Sequence, residues 1–209
     1  MSCWGLVTYD RDYTSVFHSP GIEPWITGFL KKRGDLGRII DVGCGLGQLA
    51  FIMRSHIPNF EYLVGMDISR VQTKKAKTLM LYDDLVIADA TRPPFRDSAF
   101  NTLISLEVLH MLSIEVFDIL KKLVTPEASI VFTIPWLPKN VNVRDLWGRG
   151  YVVYKYFLRG LVILDLREHR VLLAHGTPSL KTFGFVLAVL HRMPFFSGIV
   201  NKGYVMIFK

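Results

Sequence analysis

Ile39-Ile40-Asp41-Val42-Gly43-Cys44-Gly45-Leu46-Gly47-Gln48-Leu49-Ala50 passes from an apolar run into three alternate glycines and out into helical spacing. The run opening at Gly37-Arg38 predicts a buried parallel strand, and Leu49, Ala50 and Met53 predict a helix from Leu46 onward. Glycine accepts positive φ and has no Cβ, so a ligand can approach the main chain and the first helical N–H groups at such a junction. A strand, a tight turn and a helix of this kind predict a site for something small. Gly43, Gly45 and Gly47 spell only G-x-G-x-G, which leaves the ligand itself open.

Working outward, residues 61–67 predict a second apolar strand that ends in Asp67, twenty residues past Gly47. A carboxylate at that strand tip can accept hydrogen bonds from both ribose hydroxyls of an adenosine cofactor. NAD and S-adenosylmethionine (SAM) both satisfy these two features. Residues 85–90 predict a third strand, tipped by Asp89, and residues 100–105 a fourth, which runs into Glu107.

Four motifs thus stand in order across residues 35–135: Asp41-x-Gly-x-Gly-x-Gly47; Gly65-Met66-Asp67-Ile68-Ser69; Ala88-Asp89-Ala90 with Pro94-Phe95; and Ser105-Leu106-Glu107-Val108-Leu109. In this series the chain resembles class I SAM-dependent methyltransferases, most closely the small-molecule type related to ubiquinone and menaquinone biosynthesis. The resemblance implies an α/β, Rossmann-like, doubly wound sheet of seven strands, mostly parallel with an antiparallel edge, in a single domain. It also implies SAM as the cofactor. Gly43, Gly45 and Gly47 would let the chain pass close to its methionine portion, with Cys44 a small filler in the turn. Asp41 would fix the ammonium or the turn itself. Asp67 would take the ribose hydroxyls, Ile68 would cover an adenine face and Asp89 would accept from the adenine amino group. The Ala90 N–H would donate to a ring nitrogen, and Ser105 completes the cofactor set.

Glu107 and His110 follow the fourth strand, where an acceptor must meet the methyl group, and a histidine is suited to taking a proton there. The quinone-type relatives often show E-x-x-E-H at this place. Here the series is Glu107-Val108-Leu109-His110-Met111, without the second acid and the following histidine. Pro126-Glu127-Ala128 is a further departure, from the usual Pro-Gly-Gly before the fifth strand.

The chain of 209 residues suits one domain, and half of them are apolar, which excludes disorder. The first residues lack the apolar stretch of a secretory leader, and no uncharged stretch reaches the roughly 18–20 residues of a membrane span. A cytosolic protein is expected. The two cysteines, Cys3 and Cys44, make no disulfide framework, and the six histidines lack metal-ligand spacing. The net charge of +7 is uneven: residues 139–209 hold eleven Lys and Arg against three Asp and Glu, while residues 1–138 hold fourteen against fifteen. That last third is either a solvated basic face or a surface for an anionic partner such as RNA, a phosphorylated metabolite or a lipid surface.

Residues 9–19 read as a lead segment in which Tyr9 and Tyr13 are candidates to close over the cofactor. Helices are expected at residues 23–32, 46–56, 70–81 and 113–123, with Val71, Ala76, Leu79 and Met80 inward on the third of these. A fifth strand is expected at 128–134. Residues 142–158 read as a helix with Trp147, Tyr151, Tyr154 and Phe157 on one flank. Strands are expected at 161–166, 169–174 and 202–209, and a helix at 179–191. Residues 35–135 form the expected cofactor core, and residues 136–198 the substrate cap and sheet edge.

Three functions stay open at this point. A methyltransferase acting on a small, apolar or amphiphilic acceptor leads, on the aromatic cap. An RNA or protein methyltransferase would use the basic last third. A SAM-binding regulatory module without catalysis is the third.

Overall fold

The computed structural model describes residues 22–57, 59–134, 137, 141–157, 162–165, 171–173 and 202–208. Helix α1 (Ile22–Arg33) leads into β1 (Arg38–Val42), α2 (Gln48–His56), β2 (Tyr62–Asp67), α3 (Arg70–Thr78), β3 (Asp84–Ile87) and β4 (Phe100–Leu106). A short 3-10 turn (Leu109–Met111), α4 (Glu115–Lys122), β5 (Val124–Ile134) and α5 (Val143–Gly148) follow. The described chain ends in β6 (Tyr151–Phe157), β7 (Val162–Asp165), β8 (Val171–Leu173) and β9 (Lys202–Phe208).

These strands form one sheet in the order β3-β2-β1-β4-β5-β9-β6-β7-β8. The first five neighbours pair in parallel, and β9 then pairs antiparallel with both β5 and β6. The expected seven-stranded, mostly parallel sheet is therefore present as β3 through β6 in that order. Strands β7 and β8 extend its antiparallel edge by two.

Strand β1 lies mid-sheet and is buried on both faces, which is why Ile39, Ile40 and Val42 are all apolar. Successive side chains point to opposite faces. Ile40 and Val42 join a core with Met66, Leu103, Phe117 and Phe132, whereas Ile39 joins one with Leu30, Met53, Leu63 and Ile104. Helices α1 and α2 thus cover one face, and α4 and α5 the other, as a doubly wound sheet requires.

Three local expectations are corrected. Helix α3 ends at Thr78, and its inward residues are Thr73 and Ala76, while Val71, Leu79 and Met80 are exposed by 38%, 53% and 87%. The helix comes close to the start of α2, where a Cβ on Gly47 would lie 3.8 Å from that of Ala76. Leu79 reaches the same place with its Cδ1, 3.9 Å from that Gly47 Cβ position, although more than half of the residue is exposed. Residues 142–158 are not one helix. A capping box between Asn142 and Asp145 starts α5, Gly150 with φ 88° follows its end, and Tyr151–Phe157 is a strand. Its aromatic and β-branched residues suit a pleated surface, and the 147, 151, 154 and 157 spacing misled because it is also a helical period. Strand β5 starts earlier than expected, at Val124. Its register against β4 shifts between Phe100 and Thr102, which accommodates Pro126, a residue with no N–H for the ladder. The lead segment with Tyr9 and Tyr13, Cys3, and the helix expected at 179–191 lie outside the described residues.

Candidate active site at the carboxyl edge of the sheet

Beyond Val42 the chain turns with left-handed backbone at Gly43 (φ 77°), Gly45 (φ 51°) and Gly47 (φ 91°). A Cβ at Gly43 would collide with the Val108 side chain, so space as well as φ closes this position to other residues. The N–H groups of Gly43 and Cys44 donate to the Met66 carbonyl at 2.7 and 3.1 Å, tying the turn to the tip of β2.

Asp67, the last residue of β2, joins two loops through its carboxylate. The Gly45 N–H donates to Oδ2 and the Ser69 N–H to Oδ1, each at 2.8 Å. Each oxygen retains a further acceptor position, because a carboxylate offers about four. Burial pushes the Asp67 pKa up, against the pull of these backbone donors. Ile68 beside it is 39% exposed, and Ser69 caps α3 by accepting from the Gln72 N–H at 3.2 Å.

Asp41 sits beneath the turn, 2% exposed, and accepts from the Tyr82 hydroxyl at 2.5 Å. Burial raises its pKa to about 7, the Tyr82 bond working against that rise and the charge of Asp67 adding to it. Of the two roles expected for Asp41, this placement suits support of the turn rather than direct contact with an ammonium. Ser105 is likewise below the site: it is fully buried and its hydroxyl donates to the Val42 carbonyl at 2.7 Å. The Ser105 hydroxyl thus supports the end of β1 from below. Cys44 is buried, and burial together with Asp41 and Asp67 pushes its thiol far up, which fits a filler and not a nucleophile.

Asp89 lies past the end of β3, exposed, with the Thr91 N–H donating to its Oδ1 at 2.8 Å. The Ala88 N–H donates to the Asp67 carbonyl at 3.0 Å, so the β3 exit stays beside the β2 tip, and Ala90 packs partly buried against the core. Glu107 follows β4 in left-handed backbone, φ 59°, with its N–H donating to the Thr133 carbonyl at 2.8 Å and to the Thr133 hydroxyl at 3.1 Å. His110 lies in the 3-10 turn, half-buried, and burial lowers its pKa, so it is neutral at physiological pH. The structure therefore gathers Asp41, the glycine turn, Asp67 and Ile68 tightly, with Asp89 and Ala90 on one flank and Glu107 and His110 on the other.

Tyr82 and Val108 were not foreseen. Tyr82 sits in a connector with no motif around it, and Val108 is an ordinary apolar residue between two that drew attention. Nothing in a single sequence marks either one.

A cationic ligand with an adenosine portion fits these residues. Two acids with raised pKa values are relieved by positive charge, the turn offers main chain without side chains, and Ile68 is open beside the carboxylate. Among the described residues, no group of three or more His, Cys, Asp or Glu could hold a metal, and no helix is long and apolar enough to cross a membrane.

Comparison with known proteins agrees with this geometry. Residues 39–126 match the family described as a methyltransferase domain. The yeast (Saccharomyces cerevisiae) tRNA (carboxymethyluridine(34)-5-O)-methyltransferase is 33% identical over 98 residues, which are 45% of this chain and 33% of that protein. The chain thus spans about a third of the length of this curated relative. Among solved structures, a Pyrococcus horikoshii protein superposes with a TM-score of 0.53 at 18% identity, over 97% of this chain and 95% of its own. The plantazolicin methyltransferase BpumL, solved with SAH, superposes with a TM-score of 0.55 at 11% identity, over 90% and 83%.

The glycine turn between two acids lies on the carboxyl edge of a doubly wound sheet, a fold that these solved structures share. Residues 39–126 match a methyltransferase domain, and the fold that carries them is shared with the solved methyltransferase structure above.

Proposed function

We propose that the chain transfers the methyl group of SAM to a small, apolar or amphiphilic acceptor, as in the quinone-type subgroup. The observation that carries this is the unequal character of the site's two flanks. Beyond β4 and β5, partly buried Leu112, Ile114, Leu137, Val141 and Trp147 pack against the core and supply apolar side chains on that flank. Such a wall suits an apolar acceptor held in line with the methyl group, since SAM brings its own leaving group and positioning is the protein's main task. Residues 35–135 form the cofactor core in this reading, and residues 136–198 the cap and sheet edge.

The cofactor contacts are assigned to Gly43, Gly45, Gly47, Asp67, Ile68, Asp89 and Ala90, with Asp41, Cys44 and Ser105 beneath them. Neutral His110 is the candidate to accept a proton from an oxygen or nitrogen acceptor, with Glu107 beside it. An acidic acceptor needs no such base.

RNA is the second reading, supported by the tRNA-modifying relative and the basic last third. The shared 98 residues are less than half of this chain and a third of that protein, so this likeness alone does not carry its acceptor over to this chain. Incubation with methyl-labelled SAM and separated lipid, small-molecule, RNA and protein fractions decides between them. Label in the lipid or small-molecule fraction is expected. Label in RNA alone, with salt-sensitive binding, would replace the first reading by the second.

A further inference from the structure

Tyr82 lies in the connector between α3 and β3, yet it reaches to the middle of the cofactor edge. Its hydroxyl meets Asp41 on β1, forty-one residues away in the chain. Its ring stands against two glycines: a Cβ at Gly47 would lie 3.2 Å from Cε2, and one at Gly65 would lie 2.9 Å from Cε1. The ring thus occupies space that the turn and β2 leave by lacking side chains.

The connector is itself held from two sides. Arg54 of α2 donates through Nε to the Leu81 carbonyl at 2.9 Å and through Nη2 to the Asp83 carboxylate at 2.8 Å. The Leu63 N–H of β2 donates to the same carboxylate at 2.7 Å, and the Asp83 N–H returns a bond to the Leu63 carbonyl at 2.9 Å. Residues on both sides of Tyr82 are fixed, so its hydroxyl has a defined position over Asp41.

We propose that Tyr82 is a positioning residue for the cofactor, acting through Asp41: its hydroxyl holds the buried carboxylate ionised beneath the glycine turn, where that charge favours a cationic ligand. This rests on the reading of residues 43–47 as the SAM site. The titratable groups that act on Asp41 or respond to it are Tyr82 from the connector, Asp67 from β2 and Cys44 from the turn. Of these only Tyr82 favours the charged form of Asp41, since Asp67 repels it and the thiol of Cys44 keeps its proton. Burial and Asp41 together push the Tyr82 phenol upward, so the phenol remains the donor.

Calorimetric titration with SAM between pH 6 and 9 tests this on the wild type, Tyr82→Phe and Asp41→Asn, with a thermal melt at each pH. Wild-type affinity is expected to rise as pH passes about 7. In Tyr82→Phe the midpoint moves up by about one pH unit, which weakens binding about fivefold at pH 7 and by little at pH 9. Asp41→Asn keeps an acceptor for the hydroxyl, and its SAM affinity loses this pH dependence. The amino group of SAM titrates alike in all three proteins, so the differences between them isolate Asp41.

A uniform loss in Tyr82→Phe at every pH, or a profile identical to wild type, overturns the proposal. If Tyr82→Phe fails to fold, Asp41→Asn decides: a retained wild-type pH dependence overturns it. A wild type that binds SAM normally while either result holds removes only the role of Tyr82. A folded wild type that releases no heat with SAM removes the cofactor reading itself.

Discussion

The two flanks of the sheet's carboxyl edge are built on different principles. Around β1, β2 and α3 the chain is held by specific polar bonds: Asp67 takes the N–H groups of Gly45 and Ser69, and Asp41 takes the Tyr82 hydroxyl. Around β4, β5 and α5 polar bonds such as Glu107 N–H to Thr133 also occur, and beside them the rings of Phe117, Phe132 and Tyr151 meet in apolar contact at 5.2 to 6.0 Å between centres. A polar bond constrains both the residue type and its position, whereas a packed apolar site accepts many substitutes of similar volume. The first flank suits one fixed ligand shared by a whole class, and the second leaves room for the acceptor to differ.

The comparison is broken most directly at Gly43. Alanine there meets Val108 and a left-handed φ together, and is expected to cost about 2–4 kcal/mol of stability and to abolish SAM binding. Chemical unfolding of Gly43→Ala alone and with Val108→Ala separates the two causes. The second change should return part of the loss, namely the clash, and leave the backbone strain. Full recovery would mean that space alone demands glycine.

Next in size, Asp67→Ala removes the acceptor of two backbone donors and any ribose contact. Charge-assisted bonds contribute about 1.5–3 kcal/mol each, so SAM affinity should fall at least about tenfold by calorimetry. A His110→Gln change on the other flank should leave that affinity within about twofold while lowering turnover. Equal loss of SAM binding in both variants would dissolve the distinction between the flanks.

How much of this could be read in the sequence follows the same division. The glycine turn and Asp67 at the tip of β2 are legible because each needs one residue type at one place, and the parallel strands because each is a short apolar run. Helix α3 was legible as a helix, but its inward face was not. Val71, Leu79 and Met80 carry the apolar signal, while the residues the helix buries are the small Thr73 and Ala76. Strand β6 was misread because Trp147, Tyr151, Tyr154 and Phe157 fit a helical period, and only Gly148 and Gly150 hint at the break. Tyr82 was invisible for a different reason: its partners Asp41, Gly47 and Gly65 converge only in three dimensions.

A pH experiment sharpens the contrast in the unliganded protein. The folded pKa of Asp41, about 7, lies above its ordinary value of 3.8, so the native state binds a proton that the unfolded chain releases. Its contribution to stability is fully present below about pH 4 and is lost as pH rises through 7. Asp41→Asn should therefore be more stable than wild type at pH 8, by up to about 4 kcal/mol, with the gap shrinking to about 1–2 kcal/mol at pH 5 and closing near pH 4. Saturating SAM should narrow the difference at pH 8 if the cation offsets the buried charge. A constant gap across this range would mean that Asp41 does not titrate there.

The smallest expected effect is at Glu107, and it is the one that touches both flanks. Its φ of 59° is unfavourable for a residue with a Cβ, and it places the next residue, Val108, against Gly43. Glu107→Gly relieves the backbone at the expense of a freer unfolded chain, so a net change within about 1 kcal/mol is expected. If the carboxylate takes part in the reaction, turnover falls well beyond what that small change in stability explains, and Glu107→Gln falls with it. If both variants turn over as wild type does, Glu107 serves only to shape the turn that carries Val108. The acceptor flank would then hold His110 as its one candidate for moving a proton, and the contrast between a polar cofactor edge and an apolar acceptor edge would be deeper still.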